Sequence, residues 1–175
     1  VFRKEPSYTV ISTWIHTPCQ NLVLWDVVRF RKEIPDTLNA LREAAARHRP
    51  EFVAIETSGL GIGVYQYARR IGLPVRPLLP RSTDKLVRAT EAANRMQQGQ
   101  IFFPMPGTAA WLEEVEDELF TWTGHPAQQC DFIDTLSYAA LLVTEDSLAI
   151  TTPADIPTVE RGTFRPGYER GAAGW

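Results

Sequence analysis

Cysteine and long apolar runs are scarce in this sequence of 175 residues. The two cysteines, Cys19 and Cys130, are too few for a disulfide framework and form no Cys-x-x-Cys pair. This argues against a disulfide-rich secreted domain and against a cysteine-based zinc site. No uninterrupted apolar stretch approaches the roughly 20 residues that a membrane-spanning helix needs. The sequence therefore predicts one globular domain of ordinary size in a reducing compartment.

Lys and Arg are missing altogether from positions 101–150, a stretch that holds nine acidic residues. The first hundred positions show the opposite balance, with 15 Lys and Arg against 9 Asp and Glu. The formal net charge of −3 hides this division. A polyanionic partner is not excluded, because a basic lobe can hold phosphates while an acidic cluster holds cations.

Strands and helices alternate along most of the chain. Two β-branched and aromatic runs, at 7–14 and 21–30, predict an antiparallel pair. Apolar spacing and turn residues then predict strands at 51–56, 74–79 and 101–103, and helices at 35–48, 59–71, 84–98, 108–120 and 131–144. This order indicates an α/β domain with a mixed sheet covered by helices, over residues 1–146. Residues 147–175, rich in Thr, Pro and Gly, are expected to form a flexible C-terminal tail.

Glu56 ends a short predicted strand whose other residues are nearly all apolar. The carboxyl ends of strands in open α/β sheets are where ligands usually bind. A partly desolvated carboxylate there needs a cation or a hydrogen-bond donor. The alternative is an acid that caps the following turn through Thr57 and Ser58. The position of Glu56 alone favours neither the ligand-binding role nor the capping role.

Asp131 and Asp134 lie three residues apart in the last predicted helix, and therefore on one helix face. Two like charges about 4 Å apart at an effective dielectric near 20 repel by about 4 kcal/mol. A nearby cation would relieve that repulsion. In the alternative reading, Asp131 is a first-turn acid that favours the helix dipole, and Asp134 is solvated.

Four basic residues surround the helix predicted to begin near a cap at Ser82 or Asp84: Arg81, Lys85, Arg88 and Arg95. The last three share one side of the helix, and such a stripe can hold a phosphate backbone without reading bases. A solvated helix face explains the stripe equally well. The same helix is expected to pack through an apolar stripe formed by Leu86, Ala89, Ala93 and Met96.

A nucleotide-phosphate loop is missing from the sequence. No G-x-x-x-x-G-K-[ST] motif occurs, so no P-loop ATPase centre is present here. Gly59, Gly61 and Gly63 follow a predicted strand, but their spacing differs from G-x-G-x-x-G. The carboxylate at the end of that strand would also face a pyrophosphate. The hypothesis of a nucleotide-binding oxidoreductase is therefore supported by these glycines alone.

Several runs, taken in order, resemble one protein family. They are VAIETSGLGIGVYQYARRIGLPV at 53–75, DKLVRA at 84–89, QGQIFFP at 98–104, and a later run from Trp111 through ELF at 118–120 to CDFIDTL at 130–136. Together they are similar to the C-terminal nuclease domain of the large terminase subunit of tailed phages, over residues 7–143. The resemblance implies a ribonuclease H-like fold, in which helices flank a mixed β-sheet. It also implies a metal-dependent endonuclease that cuts concatemeric double-stranded DNA during genome packaging.

The resemblance assigns roles to three acidic residues. Glu56 corresponds to the family's strand-end acid, and Asp131 and Asp134 correspond to the second and last aspartates of its Asp-Asp-x-x-Asp stretch. The implied cofactors are two Mg²⁺ or Mn²⁺ ions. Glu56 and Asp131 are then expected to be ligands, and Asp134 a further ligand or a residue behind the ligands.

The sequence departs from the family pattern in two places. Cys130 stands where the family usually has the first aspartate of the pair, and Gln129 stands where a histidine is common. The family's first metal-binding aspartate lies on the opening strand of the fold, which we expect upstream of Val1. The domain is therefore expected to be truncated at its N-terminus and to be a poor nuclease in this form.

Double-stranded DNA is the expected partner. Lys85 and Arg88 correspond to a basic Lys-x-x-Arg element of the family, which implies contacts to DNA phosphates. The resemblance also implies an ATPase domain in the full-length chain, and a portal protein and a small terminase subunit as partners in the host cytoplasm, with no membrane. Two alternatives stay open: another ribonuclease H-like nuclease such as a Holliday-junction resolvase, and a non-catalytic fragment that binds DNA or the portal.

Overall fold

An antiparallel hairpin opens the described part of the chain. The computed structural model describes residues 8–31, 34–79, 85–125 and 128–149, with side chains to residue 144. Strand β1 (Thr9–His16) pairs with β2 (Leu22–Phe30), and a register shift at Thr13/Trp14 marks a β-bulge. β-Branched and aromatic residues dominate both strands, as expected for a pleated, half-buried surface. The predicted antiparallel pair is confirmed.

Eight further elements follow in the predicted order. They are α1 (Ile34–His48), β3 (Val53–Glu56), α2 (Gly61–Arg70), β4 (Val75–Leu78), α3 (Lys85–Gln97), β5 (Ile101–Phe102), α4 (Leu112–Thr121) and α5 (Asp131–Ala149). The domain boundary predicted at residue 146 falls inside α5. Residues 150–175 of the predicted tail lie outside the described residues, as do Arg81 and the predicted caps Ser82 and Asp84.

The strands form two separate sheets in the described part of the chain. One has the order β1-β2-β5, with β5 parallel to β2, and the other is the parallel pair β3-β4. The predicted mixed sheet is confirmed, but it is divided. Among the described residues, neither β1 nor β3 has a strand partner on its second edge. Both strands line one cavity of about 720 Å³.

Helix α5 packs across the three-stranded sheet and contributes much of the core. Phe132 is 1% exposed and stacks against Trp14, with ring centroids 6.3 Å apart. The core cluster comprises Leu22, Leu24, Val27, Ala92, Ile101, Val115, Phe132, Leu136, Ala139, Ala140 and Val143. Its apolar burial stabilises the fold and fixes the position of α5 on the sheet. Within the described ranges, no helix combines the length and apolar character that crossing a bilayer requires.

The apolar stripe predicted for α3 is wrong, because only Ala89 of its four residues is buried. Leu86 and Met96 are 54% and 41% exposed, and Ala93 is exposed as well. The buried residues of α3 are instead Arg88, Ala89, Ala92 and Arg95. The helix faces α5 with small alanines and with two arginines that form hydrogen bonds, so polar partners on α5 decide its rotation.

Candidate functional site

The three acidic residues singled out from the sequence line the same cavity. Glu56 reaches it from the end of β3, and Asp131 and Asp134 reach it from the first turn of α5. The cavity is the one that separates β1 from β3. Folding therefore brings together carboxylates that are far apart in the sequence, as the resemblance implies.

Glu56 sits at a tight junction between β3 and α2. The Ser58 hydroxyl donates a hydrogen bond to its Oε1, so the predicted contact with the following turn is present. A Cβ on Gly61 would lie 1.9 Å from the carbonyl oxygen of Glu56, so the close approach of α2 requires glycine here. No described cationic side chain forms an ion pair with Glu56, although its carboxylate borders the cavity.

Asp134 is fully engaged by two cations of α3. Lys85 Nζ lies 2.6 Å from Oδ2, and Arg88 Nη2 lies 2.8 Å from Oδ1. Burial alone would lower the pKa of Lys85, but hydrogen bonds to Asp134 and Cys130 raise it above its ordinary value. The pKa of Arg88 is raised in the same way, with burial opposing and Asp134 favouring the charged form. Asp134 is therefore compensated by protein charge rather than solvated.

Asp131 is in a different electrostatic position from Asp134. It is the first residue of α5, where the helix dipole favours a negative charge. Its Oδ2 accepts a hydrogen bond of 3.1 Å from the Gln129 amide. No cationic side chain in the described ranges pairs with it. Asp131 and Glu56 thus place on one cavity two carboxylates that form no ion pair with a described residue.

The donor chemistry fits a hard divalent cation, since Mg²⁺ and Mn²⁺ prefer carboxylate oxygen. The number of donors is too small for the two-ion site that the resemblance implies. Among the residues that the structure describes, no group of three or more His, Cys, Asp or Glu side chains is arranged to hold a metal ion. Glu56 and Asp131 would supply two carboxylate donors to such a site.

The predicted basic stripe does lie on one side of α3, but that side faces α5. Arg95 is buried and donates hydrogen bonds of 3.0 Å to the Gln20 carbonyl and to the Thr144 hydroxyl. Arg88 is buried against Asp134. The Lys85 side chain is 41% exposed, which leaves it the most accessible of these three for an external phosphate.

The sequence alone assigns no role to two residues at or near the site. Tyr138 lines the cavity one turn after Asp134, and burial together with the charge of Glu56 raises the pKa of Tyr138 to about 12. Its spacing from Asp134 places both on one helix face, a signal present in the sequence. Glu118 of α4 is buried and accepts hydrogen bonds from the first turn of α5. Nothing in the local sequence marks that contact.

Several solved structures share this arrangement of strands and helices. Crystal structures of the large terminase nuclease from thermophilic phage G20c match this chain. The structures with bound cobalt and with bound magnesium each match with a TM-score of 0.55 and 16% sequence identity. Each match covers 80% of this chain and 83% of that chain. With bound zinc, the TM-score is 0.51 at 19% identity, covering 79% and 81%. No protein-family model and no curated protein matches the chain. The chain therefore has the fold of a phage large terminase nuclease, which confirms the predicted fold.

Proposed function

We propose that this chain is the nuclease domain of a phage DNA-packaging terminase, a metal-dependent endonuclease that cuts concatemeric double-stranded DNA. The observation that carries the proposal is the pair Glu56 and Asp131. These carboxylates come from different elements, line one cavity and form no ion pair with a described residue. Two negative charges in such a position need a cation. The similar structures, solved with cobalt, zinc or magnesium, lend support.

In this proposal Glu56 and Asp131 hold divalent metal, and Asp134 acts behind them. Bound Mg²⁺ or Mn²⁺ would activate a water molecule and stabilise the leaving oxygen of a phosphodiester. Asp134 pairs with Lys85 and Arg88, whose positive charge would offset the anionic substrate. Arg88 is too buried to meet DNA directly, so Lys85 is the phosphate contact proposed from α3.

The division of the sheet supports a further part of the proposal. Within the described ranges, the second edges of β1 and β3 have no strand partner, and unpaired backbone N–H and C=O groups are costly where such an edge is covered. We infer that one more strand of the encoded polypeptide runs between β1 and β3. An acid on that strand would supply the carboxylate that the described residues lack. DNA cutting is then expected only when this strand is included.

The wider setting follows from the same proposal. An ATPase domain in the full-length chain, a portal protein and a small terminase subunit would work with this domain in the host cytoplasm. Cutting during packaging has to occur with little regard to sequence. Contacts to phosphates rather than to bases suit that task, and they predict DNA binding that weakens steeply with salt.

Calorimetric titration of the chain with Mn²⁺ tests the metal site. Wild type is expected to bind, and Glu56→Gln and Asp131→Asn are each expected to weaken binding roughly tenfold or more. Glu43→Gln, an exposed carboxylate on α1, is the matched control and should leave binding unchanged. Absence of Mn²⁺ binding by wild type would favour the non-catalytic DNA- or portal-binding alternative.

Plasmid cutting by a polypeptide that includes the inferred strand tests the activity. We expect Mn²⁺-dependent cutting that is lost in Glu56→Gln and in Asp131→Asn. Undiminished cutting by either variant would remove that residue from catalysis. Branched DNA cut far faster than linear duplex would favour the resolvase alternative.

A further inference from the structure

Helix α5 begins without a good cap of its own. The residue before its first turn is Cys130, and the first intrahelical hydrogen bond joins the Asp134 amide to the Cys130 carbonyl, at 2.9 Å. The preceding amides of a helix have no carbonyl one turn earlier to bond with. Ser, Thr, Asp or Asn usually supplies an oxygen for them, and cysteine does not. The Cys130 sulfur instead accepts a hydrogen bond of 2.9 Å from Lys85.

Glu118, on α4, supplies the missing acceptor from a different helix. Its Oε1 accepts hydrogen bonds from the amides of Phe132 at 2.7 Å and Ile133 at 3.0 Å. The residue is only 7% exposed, so both contacts are shielded from water. A negative charge at this end of a helix also favours the helix dipole.

The carboxylate of Glu118 is in turn held from the sheet. Arg29 of β2 places Nη2 3.3 Å from Oε2 of Glu118, and its guanidinium lies over the ring of Tyr8. One side chain thus links β2, α4 and the start of α5. The residue that begins α5 is Asp131, whose carboxylate lines the cavity.

We propose that Glu118 is a positioning residue that fixes the first turn of α5 and so holds Asp131 at the cavity. The expected effect of Glu118 on metal affinity rests on the proposed function, whereas its effect on the start of α5 does not. The effect depends mainly on where the carboxylate oxygen lies, and its charge adds a smaller stabilisation. Glutamine keeps an oxygen at that reach, aspartate keeps the charge but shortens the side chain, and alanine removes both.

Hydrogen exchange of the Phe132 and Ile133 amides, measured by NMR without metal, tests the cap directly. Glu118→Ala and Glu118→Asp are each expected to speed exchange at both amides about fivefold or more, whereas Glu118→Gln stays close to wild type. Glu114→Ala is the matched control, since Glu114 also faces Arg29 from α4 but is 69% exposed. Unchanged exchange in Glu118→Ala would overturn the proposal. Fast exchange in Glu118→Gln, combined with protection in Glu118→Asp, would overturn it too.

Mn²⁺ affinity of the same variants tests the link to Asp131. Glu118→Ala and Glu118→Asp should weaken binding about fivefold, and Glu118→Gln should restore most of it. Equal affinity in all variants, despite fast exchange at Phe132, would overturn the positioning role while leaving the metal site intact. If wild type binds no Mn²⁺, the proposed function fails and the exchange experiment alone decides whether Glu118 holds the helix start. Glu118→Asp, compared with Glu118→Gln, keeps the test valid should the alanine variant not fold.

Discussion

Lys85 Nζ lies 2.6 Å from Oδ2 of Asp134, and this contact separates Asp134 from the other two acids at the cavity. Arg88 takes the second oxygen of the same carboxylate. Asp134 is therefore the anion of a structural ion-pair group that joins α3 to α5. Glu56 and Asp131 share its cavity but have no such partner among the described residues. The three acids, although close, are expected to respond differently to substitution.

Asp134→Asn should lower stability more than it lowers metal affinity. It removes the carboxylate that binds Arg88, a buried cation, and we expect the free energy of unfolding to fall by about 2 kcal/mol. The expected loss is smaller than for a fully buried ion pair, because Lys85 is partly exposed and solvent screens its pairing with Asp134. Asp131→Asn should show the reverse pattern, with weak Mn²⁺ binding and nearly normal stability. Urea unfolding and Mn²⁺ calorimetry on both variants check this crossed pattern, and equal profiles would contradict it.

Gly61→Ala should disrupt the junction at Glu56. The added Cβ would meet the Glu56 carbonyl oxygen at 1.9 Å, so the backbone has to move, at a cost of about 2 kcal/mol or more. Gly63→Ala is the matched control in the same helix, because nothing lies within 4 Å of its added Cβ. There alanine is expected to be neutral or to stabilise the helix by up to about 1 kcal/mol. Denaturant unfolding of the two variants measures the difference, and similar stabilities would refute the close approach.

Tyr138 should titrate unusually late. Its pKa of about 12 in the fold exceeds the ordinary tyrosine value of about 10, because burial and the charge of Glu56 disfavour the phenolate. The stability that depends on protonated Tyr138 is thus fully present below about pH 10 and is lost as the pH rises through about 12. Stability should fall less steeply over that range in Tyr138→Phe. Tyrosinate absorbance and denaturant unfolding across the range check both statements, and parallel pH profiles would rule out the shift.

Arg95→Ala should weaken the fold but hardly change DNA binding. Its guanidinium is occupied by Gln20, Glu91 and Thr144 inside the molecule. Lys85→Ala is expected to weaken DNA binding and to reduce the slope of log affinity against log salt by about 1. Filter binding over a series of salt concentrations distinguishes the two. A lower salt slope in Arg95→Ala with unchanged stability would place that arginine on the DNA surface instead.

The sequence predicts the type and order of the elements because these depend on local signals. Alternating β-branched residues mark the hairpin, and Pro50, Gly72 and Gly99 separate the following elements. The strand-end position of Glu56 and the spacing of Asp131 and Asp134 also single out three acids that line one cavity. These features need no knowledge of what packs against them.

The rest depends on contacts between distant parts of the chain. The rotation of α3 about its axis follows from the partners of Arg88 and Arg95 on α5, which apolar periodicity does not reveal. The predicted apolar stripe therefore lies beside the face of α3 that is buried. The role of Glu118 depends on two amides of another helix. The division of the sheet depends on which strand edges meet, and no local pattern encodes that choice.

A double-mutant cycle of Mn²⁺ binding, measured by calorimetry on wild type, Glu56→Gln, Asp131→Asn and the double variant, tests the central claim most directly. If both carboxylates hold the same ions, each single substitution removes most of the affinity and the second removes little more, so the effects are strongly non-additive. Additive effects, or single variants that bind Mn²⁺ as tightly as wild type, would contradict a shared metal site at this cavity.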